Sequence, residues 1–312
     1  MSERILVTGG EGFIGSHLVE YLLKLGNEVV VLDRQGINDI ENLSDVKKEI
    51  EYFQGDVCNR ETISEAFNGV TKVYHLAAEL GVDRVLKMPP SQIMDVDMHG
   101  TQNVLQECID SDVKTLLFAS TSEVYGHYSL EKLPMAEDDE FEPDTVYGEA
   151  KIQSEIICKR FSEEFGLRTV SVRYFNIYGP RQSLSGYAVP HFFNAALRNE
   201  NVMIHGNGTQ IRDLTYIDDA VIATVKLCDK RFDKEVFNIG TGKSISMLDL
   251  ARKIIKICNS NSGIVFIPNR RPTDSHDKFS DPTKIKNVIG WKSTTELEEG
   301  LRKTFEYYKK KM

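Results

Sequence analysis

The chain has 312 residues, 41% of them hydrophobic and 27% charged, enough for one large or two closely joined globular domains, which excludes a disordered or collagen-like protein. Its 38 Lys and Arg against 47 Asp and Glu leave a formal charge of -9, so no global basic field exists to hold a nucleic acid, and any anionic ligand needs a local site. The five cysteines are scattered without a C-x-x-C pair, which fits a reducing cytoplasm and offers neither a zinc pattern nor a redox dithiol.

The start, Met1-Ser2-Glu3-Arg4, carries an acidic residue ahead of a strand-like run, so no signal peptide is expected. No apolar run approaches the about 20 residues that cross a bilayer, and no membrane partner is expected either. Short β-branched runs then alternate with segments of helical period. Strands are predicted over Arg4–Thr8, Glu28–Leu32, Glu51–Gln54, Lys72–Leu76, Lys114–Ala119 and Arg168–Tyr174. Helices are predicted over Gly15–Leu25, stopped by Gly26-Asn27, and over Ser91–Ile109 and Tyr147–Phe165. This alternation predicts an α/β, doubly wound parallel-sheet Rossmann fold. After Tyr174 the rhythm breaks at Gly179-Pro180, Gly186 and Gly206-Asn207-Gly208, and helical period resumes at Asp218–Leu227. A smaller C-terminal lobe is expected there, interleaved with the first because Glu235–Ile239 has the pattern of a strand that rejoins the main sheet.

Directly after the first strand, Gly9-Gly10-Glu11-Gly12-Phe13-Ile14-Gly15 leads into a helix with spacing G-x-x-G-x-x-G. Glycines let a backbone turn tightly against a pyrophosphate, and the helix start supplies unpaired N–H groups and partial positive charge. Asp33 ends the second strand, where a carboxylate accepts bonds from an adenosine ribose and repels a 2′-phosphate; NAD is therefore expected over NADP. Arg34 beside it is either a phosphate contact or an exposed loop cation. Asp56-Val57 is expected either on the adenine side or as a cap for the helix near Arg60.

Tyr147 and Lys151 are four residues apart, on one face of a helix. A fixed cation beside a phenol stabilises phenolate and makes it a general base. Thr121-Ser122-Glu123 emerges from the C-terminal end of a predicted buried strand, the sheet edge where ligands of open α/β folds bind.

With His75-Leu76-Ala77-Ala78, Thr121–Gly126, Arg173-Tyr174-Phe175-Asn176-Ile177-Tyr178-Gly179-Pro180, Ile211-Arg212-Asp213, Asn238-Ile239-Gly240 and Arg271-Pro272-Thr273-Asp274, the chain resembles the extended short-chain dehydrogenase/reductase family of NAD-dependent nucleotide-sugar epimerases and dehydratases, over nearly its whole length. The resemblance implies Tyr147 as base for a sugar hydroxyl, Lys151 tuning it and holding the nicotinamide ribose, and Thr121 bonding the same oxygen. It implies Gly9, Gly12, Phe13, Ile14, Gly15, Asp33, Arg34, Asp56, Val57, Leu76, Ala77 and Ala78 at NAD, and Asn176, Arg212 and Arg271 at a substrate diphosphate, with Glu79 and Arg181 also on the substrate side. The expected division is residues 1–175 with about 216–240 as the NAD domain, and 176–215 with 241–312 as the nucleotide-sugar lobe. A homodimer through Ser91–Ile109 and Tyr147–Phe165 is implied, and no metal.

Members of the family begin by oxidising the sugar, usually at C4. Glu123 next to Thr121, and Ala78-Glu79-Leu80-Gly81-Val82-Asp83-Arg84, resemble 4,6-dehydratases, so a UDP-, dTDP- or GDP-hexose dehydratase leads. Those dehydratases carry Asp where this chain has Ser122, which leaves the leaving-group acid unassigned, and Asp97 stands where Asn is common. A UDP-hexose 4-epimerase is the first alternative and a UDP-glucuronate decarboxylase the next, with no arginine assigned to a C6 carboxylate. A non-catalytic NAD-binding regulator is the alternative from another class; the retained Thr121, Tyr147 and Lys151 argue against it.

Overall fold

A computed structural model describes residues 2–79, 81–126, 132–184, 186–229, 232–269 and 277–311. In chain order the strands are β1 (Arg4–Thr8), β2 (Glu28–Asp33), β3 (Ile50–Gln54), β4 (Lys72–His75), β5 (Thr115–Thr121), β6 (Arg168–Tyr174), β7 (Asn176–Tyr178), β8 (Val202–His205), β9 (Ile211–Tyr216), β10 (Glu235–Ile239), β11 (Ser244–Ser246) and β12 (Ile264–Ile267). The helices are α1 (Phe13–Lys24), α2 (Val82–Val85), α3 (Pro90–Met94), α4 (Gly100–Asp110), α5 (Val146–Phe165), α6 (Ala188–Leu197), α7 (Ile217–Asp229), α8 (Met247–Ile257), α9 (Thr283–Ile289) and α10 (Leu297–Lys311).

Seven strands form one parallel sheet in the order β10-β6-β5-β4-β1-β2-β3. Both of its faces are covered, as the continuous apolar runs of its strands require. Ile5 and Val7 of β1 pack with Leu18 and Leu22 of α1 and with Val221 of α7, while Leu6 between them packs with Val104 and Leu105 of α4. This is the α/β doubly wound fold expected from the alternation. Strand order reverses between β1 and β4, so the crevice beyond their carboxyl ends is the switch point where ligands of such sheets bind. The region after Tyr174 adds two small sheets, β11-β9-β7 and β12-β8, and β10 returns to the large sheet beside β6.

The stretch predicted as one helix over Ser91–Ile109 is instead α3, a π turn at Asp95–His99, and α4. A π turn inserts one extra residue into the ladder and frees carbonyls from it. Here the Asp97 carbonyl accepts the hydroxyls of Thr101 at 2.7 Å and Ser154 of α5 at 2.6 Å. Among the described residues no helix is long and apolar enough to cross a membrane.

Candidate active site

The glycine turn fits a dinucleotide. Gly12 is the N-cap of α1 and supplies no side-chain cap, and no acidic residue stands in the first turn, so the helix start is open to an anion. At Gly15 a β-carbon would fall 2.2 Å from the Gly9 carbonyl oxygen, which is why the helix can come this close to the turn only with glycine there. Phe13 and Ile14 begin α1 and are partly buried. The Asp33 carboxylate at the end of β2 accepts the Glu11 N–H at 3.1 Å and the Gln35 N–H at 3.2 Å, which fixes it beside the turn.

Other residues expected at NAD divide by their surroundings. Leu76 is buried and Ala77 and Ala78 are partly so; the N–H groups of Leu76 and Ala77 both reach the Thr8 hydroxyl at 3.2 Å, tying the end of β4 to β1 at the switch point. Asp56 is exposed and caps its own turn through the Cys58 N–H at 2.9 Å, Val57 is buried, and the cap near Arg60 is Asn59, which accepts the Glu61 N–H. Arg34 is ion-paired with Glu79 at 2.7 Å. Glu79 is fully buried and also lies 2.8 Å from Arg84.

The residues expected to be catalytic gather at the carboxyl end of β5. Thr121 ends the strand and its hydroxyl accepts the Glu123 N–H at 3.2 Å, shaping the 3-10 turn Ser122–Tyr125. Behind that turn, Tyr125 donates to Asn238 at 2.7 Å and accepts from Arg173 at 2.8 Å. Arg173 is itself buried against Glu155, so the conspicuous Arg173-Tyr174-Phe175-Asn176 run begins with a brace for the turn. Thr145 caps α5 through the Gly148 N–H at 3.0 Å, and the first turns of that helix carry Tyr147, which is hydrogen-bonded to Thr121, and Lys151.

Lys151 is buried. Its ammonium donates to the Ala119 carbonyl at 3.0 Å, sits 3.1 Å from the fully buried Asp97 carboxylate, and lies 5.6 Å from the Tyr147 ring centre. Burial pushes the Tyr147 phenol well above its ordinary value, Asp97, Tyr187 and Glu123 push it further, and the Thr121 hydrogen bond opposes them. The protein's own groups therefore hold this phenol protonated, and Lys151 is not the isolated cation that sequence spacing alone suggests.

Lys278, which no sequence pattern singled out, places its ammonium 3.0 Å from Glu123 with a side chain only 4% exposed. Its backbone bridges Ile211 and Asp213 of β9. Asp213, fully buried, anchors the same segment by accepting the Ser280 hydroxyl at 2.7 Å together with the N–H groups of Thr241 and Gly242. No local sequence signal marks Lys278, because its partner is 155 residues away.

In the small sheet β11-β9-β7, Asn176 of β7 lies opposite Leu214 of β9, so Arg212, two residues earlier, shares its face. Asn176 donates to the Asp213 carbonyl at 3.2 Å and Arg212 to the Ile211 carbonyl at 2.8 Å. Arg181 is elsewhere: its guanidinium is paired with Glu20 of α1. Ser122 is buried beside Glu123. Arg271 lies outside the described residues.

A sequence model of the family described as GDP-mannose 4,6 dehydratase matches residues 6–304. The chain belongs to this family, within the extended short-chain dehydrogenases/reductases. The family member is 34% identical to the UDP-N-acetyl-alpha-D-glucosaminuronate decarboxylase of Bacillus cytotoxicus, over 99% of this chain and 98% of that protein. Its structure resembles that of UDP-glucose 4-epimerase from Thermotoga maritima with UDP-glucose, with a TM-score of 0.92, 34% identity and 99% of each chain covered. It also resembles UDP-glucuronic acid 4-epimerase from Bacillus cereus with UDP-glucuronic acid and NAD, with a TM-score of 0.88, 29% identity, and 99% and 100% of the two chains covered. The protein is an NAD-dependent enzyme that modifies a nucleotide sugar.

Proposed function

We propose that the enzyme decarboxylates a UDP-linked uronic sugar after oxidising it at C4. The observation that carries this reading is the buried Lys278 ammonium beside Glu123, at the end of the site that holds Tyr147 and Thr121. Glu123 already meets this cation's charge, so what the pair offers a uronic sugar is an ammonium proton donor near Tyr147 and Thr121, which the enolate left by decarboxylation needs at C5. Similarity to a decarboxylase across 99% of this chain supports the same reading.

In this scheme Thr121 holds O4 and Tyr147 takes its proton, while Lys151 sets the phenol's charge balance. Bound NAD supplies a reversible acceptor for the C4 hydride. The resulting 4-ketone stands β to the C6 carboxylate, so the electrons of the C5–C6 bond flow into a C4–C5 enolate as carbon dioxide leaves. A proton passes to C5 from the Lys278–Glu123 pair, and Tyr147 gives its proton back to O4 as the C4 ketone is reduced again, which completes a UDP-pentose. No acid is needed for a leaving hydroxyl, and Ser122 offers none at neutral pH.

Dehydration to a 4-keto-6-deoxy sugar is the second reading, favoured by Glu123 and by the family match; it requires Lys278 to protonate the departing hydroxide. The test is NAD-supplemented incubation with UDP-glucuronate, UDP-N-acetylglucosaminuronate, UDP-glucose, dTDP-glucose and GDP-mannose in deuterated water, read by NMR. A UDP-pentose carrying deuterium at C5 is expected. Conversion of a neutral hexose to its 6-deoxy ketone gives the reaction to dehydration, and a C4 epimer without C5 exchange gives it to epimerisation. Tyr147→Phe is expected to stop every product. We also infer a homodimer through α4 and α5, which sedimentation equilibrium checks.

A further inference from the structure

The pairing of Lys151 has a consequence for when the base works. The Lys151 ammonium, 2% exposed, is enclosed by the Ala119 carbonyl, the Phe118 ring at 4.8 Å and Asp97 at 3.1 Å. Asp97 is held from three directions. One carboxylate oxygen accepts the Glu79 N–H at 3.2 Å, the other faces Lys151, and the carbonyl binds Thr101 and Ser154 across the π turn. We propose that Asp97 is a positioning residue for proton transfer: its carboxylate fixes the Lys151 ammonium while cancelling part of its charge, and so sets the pH above which Tyr147 acts as base. This rests on Tyr147 being the base.

The other charges around the pair are matched elsewhere. Glu79, after β4, is paired with Arg34 and Arg84. Glu123, after β5, faces Lys278, and Glu155 on α5 faces Arg173. His75 on β4 is neutral, since burial and Lys151 lower its pKa to about 3. Tyr187 ahead of α6 and Cys158 on α5 are both pushed upward by burial and carry no charge near neutrality. Asp97 is thus the carboxylate whose partner is the base's own lysine. Burial raises its pKa and Lys151 pulls it back, and among the charges that raise the Tyr147 phenol Asp97 comes first.

Asp97→Asn keeps the shape and an acceptor for the Glu79 N–H but removes the charge. The Tyr147 phenol then faces an uncompensated ammonium, and its titration is expected to fall by about one pH unit or more, the scale of one charge at this range inside a protein. Two readouts follow it in the NAD-loaded protein: the acid limb of kcat/KM with UDP-glucuronate, and tyrosinate ultraviolet absorbance taken as the difference from the same protein carrying Tyr147→Phe. The second needs no turnover, so it decides the matter even where the proposed substrate fails. Ser154→Ala, which disturbs the same turn without changing charge, is expected to leave both midpoints in place. A midpoint unmoved or raised by Asp97→Asn overturns the proposal. Should that variant not fold, carbon-13 carboxyl NMR of the unmodified protein decides instead: Asp97 ionised through the acid limb supports the proposal, and Asp97 protonated throughout overturns it.

Discussion

At the scale of single residues, the site depends on contacts too close to tolerate an extra carbon or a lost charge. A methyl group at Gly15 would fall 2.2 Å from the Gly9 carbonyl, so Gly15→Ala must move the start of α1 away from the turn. Overpacking of this kind costs about 1–3 kcal/mol, and where that cost falls on the bound geometry NAD affinity drops about tenfold to a hundredfold; calorimetric titration with NAD measures it, and unchanged affinity would show that the turn does not cradle the cofactor. Lys278 makes the opposite kind of contact. Lys278→Met leaves Glu123 without this ammonium and removes the proposed proton donor to C5, and a positioned general acid contributes about a hundredfold or more. The expected outcome is a roughly hundredfold lower kcat/KM for UDP-glucuronate with NAD binding unchanged; a variant as active as the parent would remove Lys278 from the mechanism.

At the scale of elements, the geometry of the proposed catalytic residues comes from how closely α5 approaches the turn after β5. A β-carbon at Gly148 would lie 2.8 Å from the Glu123 carbonyl oxygen and 3.1 Å from Pro143, so the helix carrying Tyr147 and Lys151 sits against the turn carrying Glu123 because residue 148 has no side chain. Gly148→Ala, although alanine favours helix, is expected to lower kcat by at least about tenfold through misplacement of the phenol, while the thermal midpoint moves by only a few degrees. Steady-state kinetics alongside a melting curve check this. The same elements show what a linear sequence reveals. The strands of the large sheet were legible because most are apolar runs bounded by turn residues, and α5 because its period is unbroken, whereas the strands of the two small sheets, β7, β8, β9, β11 and β12, at three to six residues each, were not picked out. The Gly9–Gly15 turn and the Tyr147/Lys151 pair could be picked out as candidates because each set is local. The π turn was not legible, since one of the two hydroxyls on its Asp97 carbonyl comes from Ser154, 57 residues away. Lys278 meets Glu123 across 155 residues and Arg181 meets Glu20 across 161; pairings of this span leave no periodic trace.

At the scale of the whole molecule, the sheet interior and the site share one hydrogen-bond chain, and it carries a pH signature. The Thr101 hydroxyl gives its proton to the Asp97 carbonyl at 2.7 Å, so it accepts from His75 Nε2 at 3.1 Å; His75 Nδ1 then accepts from Thr8 at 2.7 Å. This network assigns a neutral imidazole with its proton on Nε2, and a second proton would leave Thr8 facing a donor. Burial first, and the Lys151 charge after it, lower the His75 pKa from 6.5 to about 3. Its folded value lies below its unfolded one, so the stability it contributes is fully present above pH 6.5 and is lost as pH falls towards 3, because the unfolded chain binds the proton first. The expected slope from this group is about 1.4 kcal/mol per pH unit. His75→Gln removes the titration along with the hydrogen bonds, so it is less stable than the parent at neutral pH, and the gap narrows at that slope below pH 6.5. Urea unfolding at a series of pH values measures the gap directly. A gap that stays constant across the range would mean that His75 is charged in the fold, and the Thr8–His75–Thr101–Asp97 chain would then need its protons reassigned.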